Sequence, residues 1–172
     1  MGSLVNRRNG DNDPSHHCSR RASRLRGRHP ARVYRSGRSQ ETKQRVSFLG
    51  IFNTLTGTGA WELIPRTPGP LKRDSGTLSG DGAIALTSIL DGQRVNAITG
   101  SDRMTGKRGT LVLSQKLVST DVGSRYSADV GTWKLVSGTG TYKSLTGGGR
   151  FAAVGLPGGT LLSSQEGWLT IR

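Results

Sequence analysis

The residues from Gly131 to Arg150, GTWKLVSGTGTYKSLTGGGR, constrain the fold more than any other part of the chain. A β-prone run, Thr132 to Val136, enters a turn of glycines, and three more glycines lead out of it. Glycine reaches the positive φ angles that tight corners require. This order predicts a strand, a corner held by Tyr142 and Leu145, and a return strand that begins near Phe151. It indicates an architecture and no chemistry.

From Val46 onward, short β-prone segments recur at intervals of roughly ten residues, with turn signals between them. Asp91-Gly92 predicts a two-residue type I′ turn that places Leu90 opposite Gln93. We predict an all-β domain, a small closed antiparallel β-barrel of about eight strands, because closure removes exposed sheet edges; a sandwich is the alternative. The predicted strands are 46–54, 58–64, 75–80, 82–90, 93–99, 108–119, 125–136, 148–155 and 160–171.

Alternation along these strands predicts which side chains face the interior. Leu111, Leu113 and Leu117 share one face of their strand, and Trp133 and Leu135 share one face of the next. We expect the interior to be apolar and chemically inert.

Charge divides the chain into two parts. Residues 1–45 carry twelve Lys and Arg against three Asp and Glu, whereas residues 46–172 carry thirteen against eight. The first part has few large apolar residues and no periodicity, which predicts a disordered basic tail before a barrel at 46–172. Two interpretations of the tail stay open: an arm that contacts anionic polymers, or a start-site artefact in which upstream sequence is translated without selection.

Composition excludes several kinds of chemistry in the barrel. All three His and the single Cys lie before Val33. The barrel therefore lacks the commonest general base, the easiest nucleophile and the best transition-metal ligands, which argues against zinc enzymes, thiol enzymes and Ser-His hydrolases. His16, His17 and Cys18 are adjacent in the tail with no second pair of ligands, so they predict no zinc site. We predict no catalytic residue, cofactor or metal.

The arginines of the tail give the chain one alternative partner. They could neutralise phosphates, and Tyr34 is the one aromatic residue near them that could stack on a base, so any binding to nucleic acid would be non-specific. The cluster comprises Arg20, Arg21, Arg24, Arg26, Arg28 and Arg32.

Two segments carry a likeness to a known family. TGKRGTLVL at 105–113 and GTWKLVSGTGTYKSLTGGGRF at 131–151 resemble the allene oxide cyclase-like barrel superfamily, and most closely its bacterial domains of unknown function. The resemblance implies a small antiparallel barrel, with an apolar cavity in several members and dimers or trimers in some. The plant cyclases of this superfamily close an unsaturated fatty-acid epoxide, using steric confinement, a carboxylate and bound water. Their polar residues do not match this sequence position by position, so no active site is carried over.

Aromatic residues are the candidates for lining a cavity, although filling of a solid core is the favoured interpretation. Glu62 and Glu166 are the glutamates of the 46–172 domain, and each is either a buried catalytic carboxylate or an outward-facing charge. The last predicted strand places Trp168 and Glu166 opposite Leu169. The candidate cavity residues are Trp61, Glu62, Trp133, Tyr142, Phe151 and Trp168.

Taken together, the sequence predicts a non-enzymatic barrel, for which a small apolar ligand and further copies of the chain in a homo-oligomer are candidate partners; the sequence does not give the oligomeric state. Two alternatives remain: an isomerase or cyclase that acts on a lipid-like substrate inside the barrel, and nucleic-acid association through the tail. No apolar run reaches the ~18 residues of a membrane span and no secretory signal is visible, so we expect a cytoplasmic protein.

Overall fold

This computed structural model describes residues 41–123 and 125–171. The cluster of histidines, the cysteine and the arginine cluster of the predicted tail lie outside the described residues. The first strand begins at Thr42 and pairs with the last strand from Thr42↔Ile171 to Asn53↔Thr160. Residues 42–45, which were assigned to the tail, therefore belong to the barrel, because the last strand offers them a pairing partner that local composition does not reveal.

Eight strands make up the domain, and one short 3₁₀ helix, Gly140–Tyr142, lies between the sixth and the seventh. In chain order the strands are β1 Thr42–Asn53, β2 Thr58–Pro65, β3 Asp74–Leu90, β4 Gln93–Gly106, β5 Gly109–Asp121, β6 Ser127–Gly138, β7 Thr146–Leu156 and β8 Thr160–Ile171.

The strands form a closed antiparallel barrel with the simplest topology. Each strand pairs with its neighbours in sequence, and β8 returns to pair with β1. The predicted fold class is therefore confirmed. Because successive strands alternate in direction, the β1–β2, β3–β4, β5–β6 and β7–β8 connections gather at one end of the barrel, and the other connections gather at the opposite end. Within the described ranges, no helix has the length and apolar character to cross a bilayer.

The β3–β4 hairpin contains both a confirmed prediction and a wrong one. Asp91 and Gly92 have φ angles of 49° and 78°, and Leu90 pairs with Gln93, as the type I′ prediction requires. The predicted break between 75–80 and 82–90 is wrong, because β3 is continuous across Gly80–Gly82 and pairs there with β4. The hairpin also reaches past β2, which pairs only with the part of β3 up to Ser79.

The glycine corner folds as predicted, but the return strand starts earlier. Tyr142 and Leu145 are buried, with 1% and 8% of their surface exposed. Gly140 and Ser144 take positive φ angles of 58° and 69° on either side of Tyr142. The return strand β7 begins at Thr146 rather than near Phe151, because the glycines before Phe151 already pair with β8.

A dense core fills the end of the barrel that contains this corner, which we call the packed end. Leu111 and Leu113 are fully buried, and Trp133 and Leu135 also face inward, as their alternation predicts. The ring of Trp133 meets that of Phe48 edge to face, with centroids 5.4 Å apart, a favoured geometry for aromatic pairs. This half of the interior is solid, as expected of a small barrel.

Candidate ligand-binding cavity

The opposite end of the interior, which we call the open end, holds a cavity of about 530 Å³. Its mouth is formed by the connections between β1 and β2, β5 and β6, and β7 and β8, which contribute Gly57, Arg125 and Gly158. A volume of this size falls within the range of small-molecule sites.

The inner wall of the cavity is mixed, with somewhat more apolar than polar surface. Its apolar side chains come from six of the eight strands, so a ligand would be surrounded rather than held against one face. They include Phe52, Leu78, Ile98, Leu117, Phe151 and Leu161.

Glycines create the space inside the open end. Gly80, Gly82 and Gly100 occupy inward positions on β3 and β4, where larger side chains would fill the interior. A Cβ atom on Gly82 would lie 3.5 Å from Ile98 Cγ2, an ordinary van der Waals contact. A Cβ atom on Gly80 would instead lie 2.6 Å from Oδ1 of Asp102, so this glycine leaves room for that carboxylate. The cavity is therefore built into the strands.

Asp102 supplies a carboxylate to the cavity from β4. Its Oδ2 accepts hydrogen bonds from Nε2 of Gln115 and, at 3.4 Å, from Nε2 of Gln165. Both glutamines are buried. Burial raises the pKa of Asp102 to about 6; the two glutamine hydrogen bonds lower it and the charge of Asp81 raises it further.

Two buried oxygens have unused hydrogen-bonding capacity, one on Gln165 beside this carboxylate and one on Asp129 elsewhere in the cavity wall. Within residues 41–123 and 125–171, neither Oδ1 of Asp129 nor Oε1 of Gln165 has a hydrogen-bond partner. Asp129 lines the cavity and has only 6% of its surface exposed, and Gln165 has 1%. Leaving a buried polar atom unpaired costs about 1–3 kcal/mol unless water or another molecule supplies the partner. Within the same residues, Nε1 of Trp133 in the packed end is also unpaired.

The buried aromatic residues that were candidates for lining a cavity lie at different ends of the barrel. Phe151 lines the cavity. Trp61, Trp133 and Tyr142 lie in the packed end instead, with 3% or less of their surface exposed.

The remaining candidates lie on the outer surface of the barrel. Trp168 is 48% exposed, and Glu62 forms an ion pair at 3.0 Å with Arg73. Glu166 likewise pairs with Arg45, at 3.2 Å. Neither glutamate lines the cavity. The reason is alternation: Glu62 follows the inward-facing Trp61 and therefore faces outward.

The polar residues of the cavity were not predicted from the sequence. The expected inert apolar lining is wrong, since Asp102, Gln115 and Asp129 all line the cavity. The sequence did contain a signal that Asp102 faces inward. Asp102 lies at two-residue spacing from Gly100 and Met104 and therefore shares their face of β4, as does Ile98. The described part of the chain contains no group of three or more His, Cys, Asp or Glu that could hold a metal ion.

Comparison with known proteins adds no assignment: no family model, no curated protein and no solved structure matches this chain.

Proposed function

We propose that this barrel binds a small molecule with a largely apolar body in the cavity of its open end. The proposal rests on the difference between the two ends of the barrel interior. The packed end is filled by large side chains, whereas inward glycines keep about 530 Å³ free at the open end. An empty apolar space loses packing contacts, so a retained cavity favours binding over a structural role. The resemblance to allene oxide cyclase-like barrels, several of which enclose an apolar cavity, supports the same proposal.

The test is to fill the cavity from its wall. Gly82→Phe places a ring in the space next to Ile98, where a Cβ atom meets no close contact. Ala83→Phe adds the same ring on the exposed outer face of β3 and is the matched control. We expect the neutral fluorophore N-phenyl-1-naphthylamine to bind the full chain, and Gly82→Phe to weaken this binding at least tenfold. Equal binding by Gly82→Phe and Ala83→Phe would contradict the proposal.

The carboxylate of Asp102 favours a second candidate, an isomerase or cyclase that acts on a lipid-like substrate. A carboxyl group with a pKa of about 6 inside a cavity is suited to general acid or base catalysis near neutral pH. Asp102 takes the role considered for Glu62 and Glu166, since both glutamates lie outside the cavity.

The catalytic candidate is tested with the methyl ester of an unsaturated fatty-acid epoxide, whose conversion is followed by chromatography. Asp102→Asn should reduce turnover at least 100-fold, whereas Glu62→Gln and Glu166→Gln should not change it. Absence of turnover in the unmodified protein, or full activity in Asp102→Asn, would contradict catalysis by this group.

A further inference from the structure

We propose that the cavity selects ligands that carry a protonated amine on an apolar body, and that the negative charges of Asp102 and Asp129 in the cavity wall attract this group. The inference rests on the proposed binding function and adds the chemical class of the ligand.

The balance of charge in the cavity favours a cation. The ionisable groups that line it are Asp81, Asp102, Arg125 and Asp129, three carboxyl groups against one guanidinium. Asp81 is exposed, and Arg125 belongs to the loop between β5 and β6, so both lie toward the mouth. Within residues 41–123 and 125–171, neither Asp102 nor Asp129 forms an ion pair. A buried carboxylate without a counter-ion is costly, and an incoming cation would remove this cost.

Oδ1 of Asp129 is an acceptor that a donor group of a ligand could use. Oδ1 of Asp129 is buried in the cavity wall without a partner, and a cationic nitrogen carries up to three donors. Asp102, unlike Oδ1 of Asp129, already accepts hydrogen bonds from two glutamines. Gln115 and Gln165 both direct an amide N–H at its Oδ2, an arrangement that stabilises the ionised form while leaving Oδ1 for a ligand. Amide groups orient the carboxylate without neutralising it.

The same arrangement disfavours anions. A ligand carboxylate placed in this cavity would meet like charges in surroundings of low dielectric constant, where repulsion is weakly screened. An amine, an alcohol and a carboxylate with the same alkyl chain should therefore bind with different affinities, although each fits the same apolar wall.

The experiment compares octylamine, 1-octanol and octanoate as competitors of N-phenyl-1-naphthylamine on the full chain at pH 7.5. Octylamine should compete at least tenfold more strongly than 1-octanol, and octanoate more weakly than either. Asp102→Asn and Asp129→Asn should each reduce the affinity for octylamine at least fivefold and leave that for 1-octanol unchanged. Glu62→Gln is the control, since it removes a carboxylate from the outer surface. A thermal melt of each variant shows whether it is folded.

The outcomes separate this inference from the function on which it rests. Equal competition by octylamine and 1-octanol would overturn selection for cations and leave the binding function supported. Failure of every compound, the fluorophore included, would overturn both. The unmodified protein also provides a test without substitutions. Octylamine stays protonated at pH 5 while Asp102 gains a proton, so its affinity should fall severalfold between pH 7.5 and 5, and that of 1-octanol should not. A constant amine affinity over this range would remove Asp102 from the site.

Discussion

Each end of this barrel contains an inward-facing aspartate, the buried Asp74 at the packed end and the half-buried Asp102 at the open end, and folding shifts their pKa values in opposite directions. At the packed end, Asp74 accepts hydrogen bonds from Tyr142 Oη at 2.7 Å and from the backbone N–H groups of Ser75, Lys107 and Arg108. Burial alone would raise the pKa of Asp74, but these donors outweigh it and hold the pKa below 3.8.

At the open end, Asp102 has two amide donors among the described residues, and the effect of burial exceeds theirs, so its pKa rises to about 6. The two aspartates differ in how much of their hydrogen-bond acceptor capacity the fold uses. Asp74 joins the β4–β5 turn to the glycine corner and has its acceptor capacity filled, whereas Asp102 and Asp129 keep capacity that the fold does not use. We interpret the first arrangement as structural and the second as suited to a ligand.

The largest effect should follow from removing the aspartate of the packed end. Asp74→Ala leaves the buried Tyr142 hydroxyl and several backbone N–H groups without their acceptor, so we expect a loss of about 3–5 kcal/mol in the free energy of unfolding. Urea denaturation measures it, with Glu62→Gln as the control for loss of a surface carboxylate. A loss below ~1 kcal/mol would show that Asp74 does not hold the corner to the β4–β5 turn.

The pH dependence of this contribution has a defined sign. The pKa of Asp74 is lowered by folding, so its stabilisation is complete above the unfolded pKa of about 4 and is lost as the pH falls through the folded value. The difference between the unmodified protein and Asp74→Ala should therefore shrink in acid. A difference that grows as the pH falls would contradict the assignment.

Removing the charge of Asp102 at the open end should raise the free energy of unfolding, whereas removing Asp74 lowers it. Folding raises the pKa of Asp102 from 3.8 to about 6, so the ionised group costs stability above pH 6 and costs nothing well below pH 4. Asp102→Asn keeps an acceptor for Gln115 and Gln165 while removing the charge. We expect it to stabilise the protein at pH 7.5 by on the order of 2 kcal/mol, since each unit of pKa corresponds to about 1.4 kcal/mol and water in the cavity screens part of it.

Urea denaturation at pH 7.5 and at pH 4 measures this effect, and the gain should be much smaller at the lower pH. Asp121→Asn, which neutralises an exposed carboxylate at the end of β5, is the matched control and should change the stability little at either pH. Destabilisation by Asp102→Asn at pH 7.5 would mean that the carboxylate supports the fold, as Asp74 does, and would weaken the case for a ligand.

The packed end was predictable from the sequence in a way that the open end was not. Alternation identified Leu111, Leu113 and Trp133 as inward-facing, and glycine spacing identified the corner around Tyr142, because both depend on local geometry. The open end depends on which strands meet across the interior. Asp102 lies on β4 and Gln165 on β8, 63 residues apart, and closure of the barrel brings them together.

Two outcomes of the sequence predictions have the same physical origin. The predicted strands 75–80 and 82–90 were separated at Asp81, although β3 continues through Gly80 and Gly82, which leave space inside the barrel. The aromatic residues were candidates for lining a cavity, with filling of the core favoured, and Trp61 and Trp133 do fill the interior where they lie. In this barrel the cavity forms where inward side chains are missing, so inward glycines on alternating strands mark its position better than aromatic residues do.

The smallest effect is expected from the cavity glycines, and it tests whether they make free space. A methyl group on Gly82 would meet Ile98 Cγ2 at 3.5 Å, so Gly82→Ala should fit and should stabilise the protein by about 0.4–1 kcal/mol by restricting the unfolded chain. Gly100 pairs with Gly82, but a Cβ atom there would lie 2.7 Å from the backbone oxygen of Asp81. Gly100→Ala should therefore destabilise by about 1 kcal/mol, because the backbone must shift. Thermal melting distinguishes these opposite signs, and destabilisation by both substitutions would mean that Gly82 is required by the strand itself and does not serve to keep the cavity open.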